Sequence, residues 1–525
     1  MKKLLSLALV GISLQFAAIS QVNISNLKTV WGPEIKSSKK SSFEGIIGKD
    51  SKNIYALQEY ANRGDATKIE LLSYDKNTMK LKKSSIIKLD ADISNRSLEL
   101  LTQLGENLYA FTYVTDKKTD KKTLSVQELD KNTLTLKPKT TKLAEIDFGN
   151  KGRRNRGNFN VAISKNDEYI LVNYINPRED KYSRQQVGIK VYDKNFKLLW
   201  EKLDELEFPD DYFILKSMSI SNSGNVFVLG NVIPEKRVRS SKKQEFQLYA
   251  YTNLGDDIVQ YPLIIKDKYI DQMTLALTEN DDIIVGGLYG LKDMSKISGT
   301  FYLRIDGNTQ QVEASSFKEF PLDFITEGMT ERQEKKTKKK AEKGKDVGLY
   351  SYELRNLTIA TDGSVSFIAE QSYVVVNTYT DANGVTRTTY TYYDNDIIMV
   401  NVNPEGKIVD NIKIPKYQRA STPIFSSYLL GLDDDKAYFI FNDNVKNLLI
   451  NERSKMKPFT GQKKAVAVVV TVDANGRQKK SALFNAKEVG TLLRPKVSKQ
   501  FKTGEELYLV GQKGKKLSLG RINLE

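Results

Sequence analysis

Short apolar runs recur along this chain, each introduced by a turn rich in Asp, Asn, Gly and Ser. The runs occupy 54–57, 108–111, 169–172, 226–229, 283–286, 365–368, 437–440 and 507–510, which makes eight copies. Their length and their Val, Ile, Tyr and Phe content predict strands. A second turn follows each of the first seven copies, at 72–77, 127–132, 190–195, 251–255, 304–308, 402–406 and 472–476. Asp, Asn and Gly suit such turns because they tolerate positive φ and bond their own backbone. Each unit therefore reads as two linked hairpins, a four-stranded antiparallel sheet.

The eighth unit stops without an outermost strand. The missing strand stands at the other end of the chain, at 26–35, where Trp31 matches Trp200 of the third unit's outermost strand. Completing the last sheet with the first strand closes a ring and removes exposed edges. Four-stranded sheets repeated at this spacing predict an all-β, eight-bladed propeller. Tandem β-sandwiches and a seven-bladed ring are the alternatives. In these repeats the chain resembles the general β-propeller class across nearly all of its length after the leader. The likeness is architectural, because the Trp-Asp dipeptides of WD repeats and the sialidase box are both absent. The Lys-, Asn-, Ile- and Tyr-rich style is similar to that of exported proteins of Bacteroidota.

The start of the chain reads as a secretory signal peptide over 1–20. Lys2 and Lys3 precede a short apolar stretch, and Ala18 and Ser20 form a small-x-small site. Residues 21–525 then read as one propeller domain, exported to the periplasm or cell surface, with no transmembrane segment. The chain holds no cysteine and no histidine. That removes thiol chemistry, the commonest general base and every Ser-His-Asp triad. The expectation is accordingly a non-enzyme with no metal and no cofactor. The net charge is +16, of which the leader carries two. Such an excess attracts anionic partners or surfaces, and export argues against nucleic acid.

Loop assignment sorts this charge. In a four-stranded blade, the loop between strands two and three shares one edge with the connector to the next blade. That edge receives Lys151, Arg153, Arg154, Arg156, Arg237, Arg239, Lys242, Lys243, Lys463 and Lys464. It also receives an insertion at 321–350, whose 331–345 run holds Lys338, Lys339 and Lys340. The run has helix formers and a Gly344 stop but no apolar stripe, so it reads as a solvated helix or as disorder. The opposite edge carries mildly acidic turns, among them 281–282 and 433–435, too simply spaced for a dedicated calcium loop. The sixth unit has an unusual middle loop over 371–396, read as an extended hairpin with Tyr373, Tyr379, Tyr390, Tyr392 and Tyr393. It docks a partner by strand addition, binds sugars by aromatic stacking, or packs on its neighbouring blade. The functional expectation is a non-catalytic interaction module, a subunit of an envelope or outer-membrane protein complex. The alternative is a carbohydrate-binding or carbohydrate-active propeller using tyrosines and carboxylates.

Overall fold

A computed structural model describes residues 24–36, 41–60, 68–89, 96–149, 151–152, 155–178, 180, 183–209, 213–232, 245–263, 268–292, 295–433, 436–450 and 452–524. Residues 1–20, expected to be the signal peptide, lie outside them. The strands form eight antiparallel sheets, seven of them plain four-stranded meanders. Their first strands are Ser41–Lys49, Arg96–Leu104, Asn158–Ile163, Phe213–Ile220, Tyr269–Leu277, Tyr352–Ile359 and Leu429–Asp433 for blades 1 to 7. In blade 8 the first strand is broken into Leu492–Leu493 and Lys499–Gln500 by a 3-10 turn at Pro495–Val497. First strands of neighbouring blades touch one another around most of the ring, so they line the axis.

Ring closure follows the expected exchange of ends. Thr29–Trp31 and Ile35–Lys36 pair with the last strand, Lys516–Ile522, and complete blade 8. Trp31 lies over glycine: a Cβ on Gly520 would come 2.7 Å from its ring. Trp200 uses Gly255 in the same way. Arg494 of blade 8 donates to the Phe43 carbonyl of blade 1 at 3.1 Å, and Lys49 pairs with Glu505 at 2.7 Å.

The core is a set of apolar layers, each between two neighbouring sheets. Phe43, Ile46, Tyr508 and Val510, for example, fill the layer between blades 1 and 8. Acidic-edge turns add polar stitches between blades. Asn166 donates to the Asn222 side chain at 3.1 Å, and the Asn222 backbone donates to Asp281 at 2.9 Å. Asp282 is held by Arg304 at 3.0 Å.

Two local features differ from the simple repeat. In the first three blades the positive-φ turn residues are apolar: Met79, Leu134 and Phe196. Asp75, Asp130 and Asp193 fix these turns by accepting backbone N–H groups, and burial of Met79 and Leu134 offsets the backbone cost. The innermost strands of blades 1, 2, 4, 5 and 6 each carry a bulge. One extra residue in each of these strands is charged, Glu44, Glu99, Lys216, Asp271 or Arg355, and blade 1 has a second, apolar one, Ile47. The inner strand is each sheet's free edge toward the axis, where a bulge and a charge both oppose further strand pairing.

Candidate functional site

Blade 6 gathers the unusual features. Its two middle strands are the longest among the described residues, Val365–Thr380 and Thr386–Val402. Their pairing continues to Thr380↔Thr386, where Asp381 accepts the Asn383 and Val385 amides. The outer strand, Ile408–Ala420, follows only as far as Tyr392↔Ala420. The hairpin therefore projects as a two-stranded arm with both edges open beyond that point. Val374, Val376, Thr378 and Thr380 share one face with Tyr392, Tyr390, Thr388 and Thr386, their direct partners. Val376 is 53% exposed and Tyr390 is 52% exposed. Tyr379 is exposed on the other face, whereas Tyr373 and Tyr393 stack at 4.7 Å and brace the base.

Beneath the arm lies a buried charged network that the sequence reading did not identify. Lys416 and Glu370 pair at 2.7 Å, both with side chains 0% exposed. Lys416 also donates to the Asp394 carbonyl at 2.7 Å and to Gln418 at 3.0 Å. Ser427 donates to Glu370 at 2.6 Å, and Ser426 donates to Asp394. Arg355 lies 3.4 Å from Glu370 and 3.9 Å from Asp394. Lys496 of blade 8 lies 3.9 Å from Asp394. Burial pushes the Asp394 carboxyl upward, but the Lys416 charge, the Ser426 hydroxyl, the Lys496 charge and the Ser372 hydroxyl outweigh it and hold the pKa below the ordinary value. The network joins blades 6, 7 and 8. Its signal in the sequence was charge inside apolar strands, at Glu370, Asp394, Asp396, Lys413 and Lys416.

A groove of about 490 Å³ opens beside the arm's base, off the ring axis. One wall is the 321–350 insertion, which contains a short helix, Leu322–Thr326, and a longer one, Glu331–Glu342. Thr330 and Gln333 cap the longer helix reciprocally, and none of its residues is buried. The first part of the 331–345 run, Glu331–Glu342, is thus a solvated helix. The far wall holds Arg453, 3.1 Å from Asp396 and stacked 3.8 Å from the Tyr417 ring centre. Burial raises the Asp396 and Glu327 pKa values and lowers that of Lys413. Lys413 donates to the Phe324 and Glu327 carbonyls, tying the short helix to blade 6.

The expected basic residues are distributed among several blades. Lys463 and Lys464 meet Lys487 and Lys513 in a second groove between blades 7 and 8. Lys338 pairs with Glu334 at 2.8 Å, while Lys339 and Lys340 are exposed. Arg156 stacks 4.8 Å from the Phe148 ring centre, and Lys151 donates its amide to the Phe148 carbonyl. Arg153, Arg154, Arg237, Arg239, Lys242 and Lys243 lie outside the described residues, as do Asp434 and Asp435.

No family model matches this chain, and no curated protein matches it by sequence. Among solved structures it is similar to a prolyl endopeptidase, at 10% identity and a TM-score of 0.39 over 91% of this chain and 55% of that one. The chain thus spans just over half of that enzyme's length. It is also similar to the polysaccharide lyase Uly1, at 12% identity and a TM-score of 0.39 over 94% of this chain and 100% of that one. A third is the α-L-arabinanase of Penicillium chrysogenum, at 12% identity and a TM-score of 0.31 over 66% of this chain and 93% of that one. These comparisons correct one expectation. Enzymes are among the structures to which this chain is similar, so the expectation of a non-enzyme drawn from the missing histidine is withdrawn. A likeness of this grade assigns no activity, and the architecture rests on the strand pairing itself.

Proposed function

We propose that this chain is an exported propeller scaffold that binds a protein partner of the cell envelope through its blade 6 arm. The arm carries the reading. It holds exposed Val374, Val376, Tyr379 and Tyr390 on a ribbon with both edges open, and its one ion pair among the described residues is Arg387 with Asp381 at 3.1 Å. An open edge whose charges are one mutually neutralising pair near the tip is a ready template for strand addition. Covering half-exposed apolar side chains contributes roughly 1 kcal/mol apiece. The test is affinity capture from solubilised envelopes with the full chain and with a Val376→Lys/Tyr390→Lys variant. A stoichiometric partner retained by the first and lost by the second is expected. No partner for either chain, or the same partner for both, would sink the reading. Export itself is checked by the N-terminus of the secreted chain, expected at Gln21.

Carbohydrate binding is a second reading, favoured by tyrosines at the arm's base. Tyr350 lies 6.3 Å from Tyr373, which stacks on Tyr393, and Tyr417 stands across the groove. Exposed aromatic faces and amide side chains beside a groove are the usual materials of sugar recognition. Silence of the full chain on a broad glycan array would remove this reading.

A further inference from the structure

The groove beside the arm has a charge pattern that the fold does not need. Lys336 and Lys340 stand one turn apart on the capped helix and line the groove. Among the described residues neither makes an ion pair, whereas Lys338 between them is held by Glu334 and by Asp323 at 3.6 Å. Like charges one helical turn apart repel, and an anion between them relieves that repulsion. The helix is tethered at its end, since Lys292 and Lys296 donate to the Gly344 and Asp346 carbonyls. Its lysines are therefore held at a fixed place rather than on a loose tail.

The rest of the lining supplies a different chemistry. Tyr350 is 52% exposed and rests against the Tyr373–Tyr393 stack, so its ring is a braced platform. Arg453 is pinned between Asp396 and the Tyr417 ring, which fixes where its guanidinium faces the groove. Gln333 adds an amide on the helix side. A ligand matching this set has flat or ring-shaped faces to stack, hydroxyls for the amide, and anionic groups at intervals for the cations.

We propose that this groove binds an acidic glycan, a chain of sugar rings bearing carboxylate or sulfate groups. The proposal rests on the carbohydrate reading above and adds the ligand's charge class and the residues that select it. Lys336, Lys340 and Arg453 take the anionic groups, and Tyr350 takes a ring face. An acidic peptide would satisfy the cations but leave the Tyr350 platform unused.

The experiment is calorimetric titration of the full chain with an oligogalacturonate, with its methyl-esterified neutral form, and with poly-glutamate, at low and at physiological salt. The oligogalacturonate is expected to bind, more weakly at higher salt, with the ester weaker by about tenfold or more. Lys336→Ala/Lys340→Ala should lower its affinity by about tenfold, and Tyr350→Ala should lower it without changing the salt dependence. These side chains are exposed, so circular dichroism of the variants should match the parent. Equal binding of acid and ester would overturn the acidic class while leaving the carbohydrate reading standing. Absence of binding to either would overturn both. Poly-glutamate binding as tightly as the sugar and indifferent to Tyr350→Ala would make the groove a peptide site and overturn the proposal.

Discussion

Removing Lys416 tests whether the buried network under the arm is a structural necessity. Its ammonium is fully buried, 2.7 Å from Glu370, and donates to the Asp394 carbonyl and the Gln418 side chain. Lys416→Met keeps the apolar stem but leaves Glu370 and Asp394 with only Arg355, Lys496 and the serines. Stranding a buried carboxylate costs about 3–5 kcal/mol. Replacing both partners, as in Lys416→Met/Glu370→Leu, removes the stranded charge and should cost much less than the two single changes together, a coupling of about 2–3 kcal/mol. For a chain of this length, the usual per-residue unfolding entropy converts 3–5 kcal/mol into a melting temperature lower by roughly 3–5 °C. Eight blades need not unfold in one step, so amide exchange in Ile408–Ala420 gives the local reading, with urea midpoints as the global one. Single variants costing under about 1 kcal/mol, or a double variant equal to the sum, would refute the argument.

Four other outcomes follow from the structure. Trp31→Ala should destabilise by about 2–4 kcal/mol and raise light scattering on heating, because the closing strand exposes blade 8's edge when it detaches; unchanged melting would refute the shared blade. Deleting Glu99 closes the bulge while the pairs on either side, Leu98↔Thr112 and Leu100↔Phe111, keep their register, so it should leave a regular inner edge that scatters more light on heating than Glu99→Gln; equal scattering would mean the bulge does not protect that edge. Burial raises the Asp396 carboxyl pKa, so its contribution to stability falls as pH rises from the ordinary carboxylate range through the raised value; Asp396→Asn should flatten that fall in urea midpoints. Glu145 has the opposite sign, with its pKa drawn down to about 2 by Lys121 and Lys142. Its contribution is present above the ordinary glutamate value and lost toward pH 2, where Glu145→Gln should show no further acid loss.

The ring was legible because repetition multiplies a weak signal. One alternating run such as 226–229 is ambiguous, but eight in step with their turns define a blade, and Trp31 matched with Trp200 supplied the closure. The arm was legible for the same reason: alternation on both sides of 381–384 has no other simple reading. Whether it packed or projected was not in the pattern, since that depends on where the outer strand stops, at Ala420. The charged network was missed because Glu370, Asp394 and Lys416 are far apart in sequence and meet only through bulged pairing at Glu370/Ser372 and Asn395/Ile397. The inner-strand bulges were missed similarly, since one extra charged residue resembles an ordinary break in alternation. The apolar positive-φ residues reverse the expectation for those turns, because inward packing of Met79 and Leu134 outweighed local preference.

The network and the arm are connected by what a projecting ribbon requires. An isolated two-stranded hairpin is marginal in water, and a floppy arm would lose much of its binding free energy to ordering. The base of this arm is held from three directions. Ser372 donates to Asp394 at 2.8 Å, Asn395 donates to Gln371 at 3.1 Å, and Tyr373 stacks on Tyr393. Asp394 is in turn fixed by Ser426 from the connector to blade 7 and faced by Lys496 of blade 8. An apolar core of the same volume could match the network in stability, but it would not aim hydroxyls from the blade 7 connector and a charge from blade 8 at those strands. The charges are better explained as fixing the direction in which the arm leaves the ring. Arg453, which closes the adjacent groove, is held by Asp396, two residues beyond Asp394 on the same strand. Arm direction and groove shape therefore depend on the placement of one segment of blade 6.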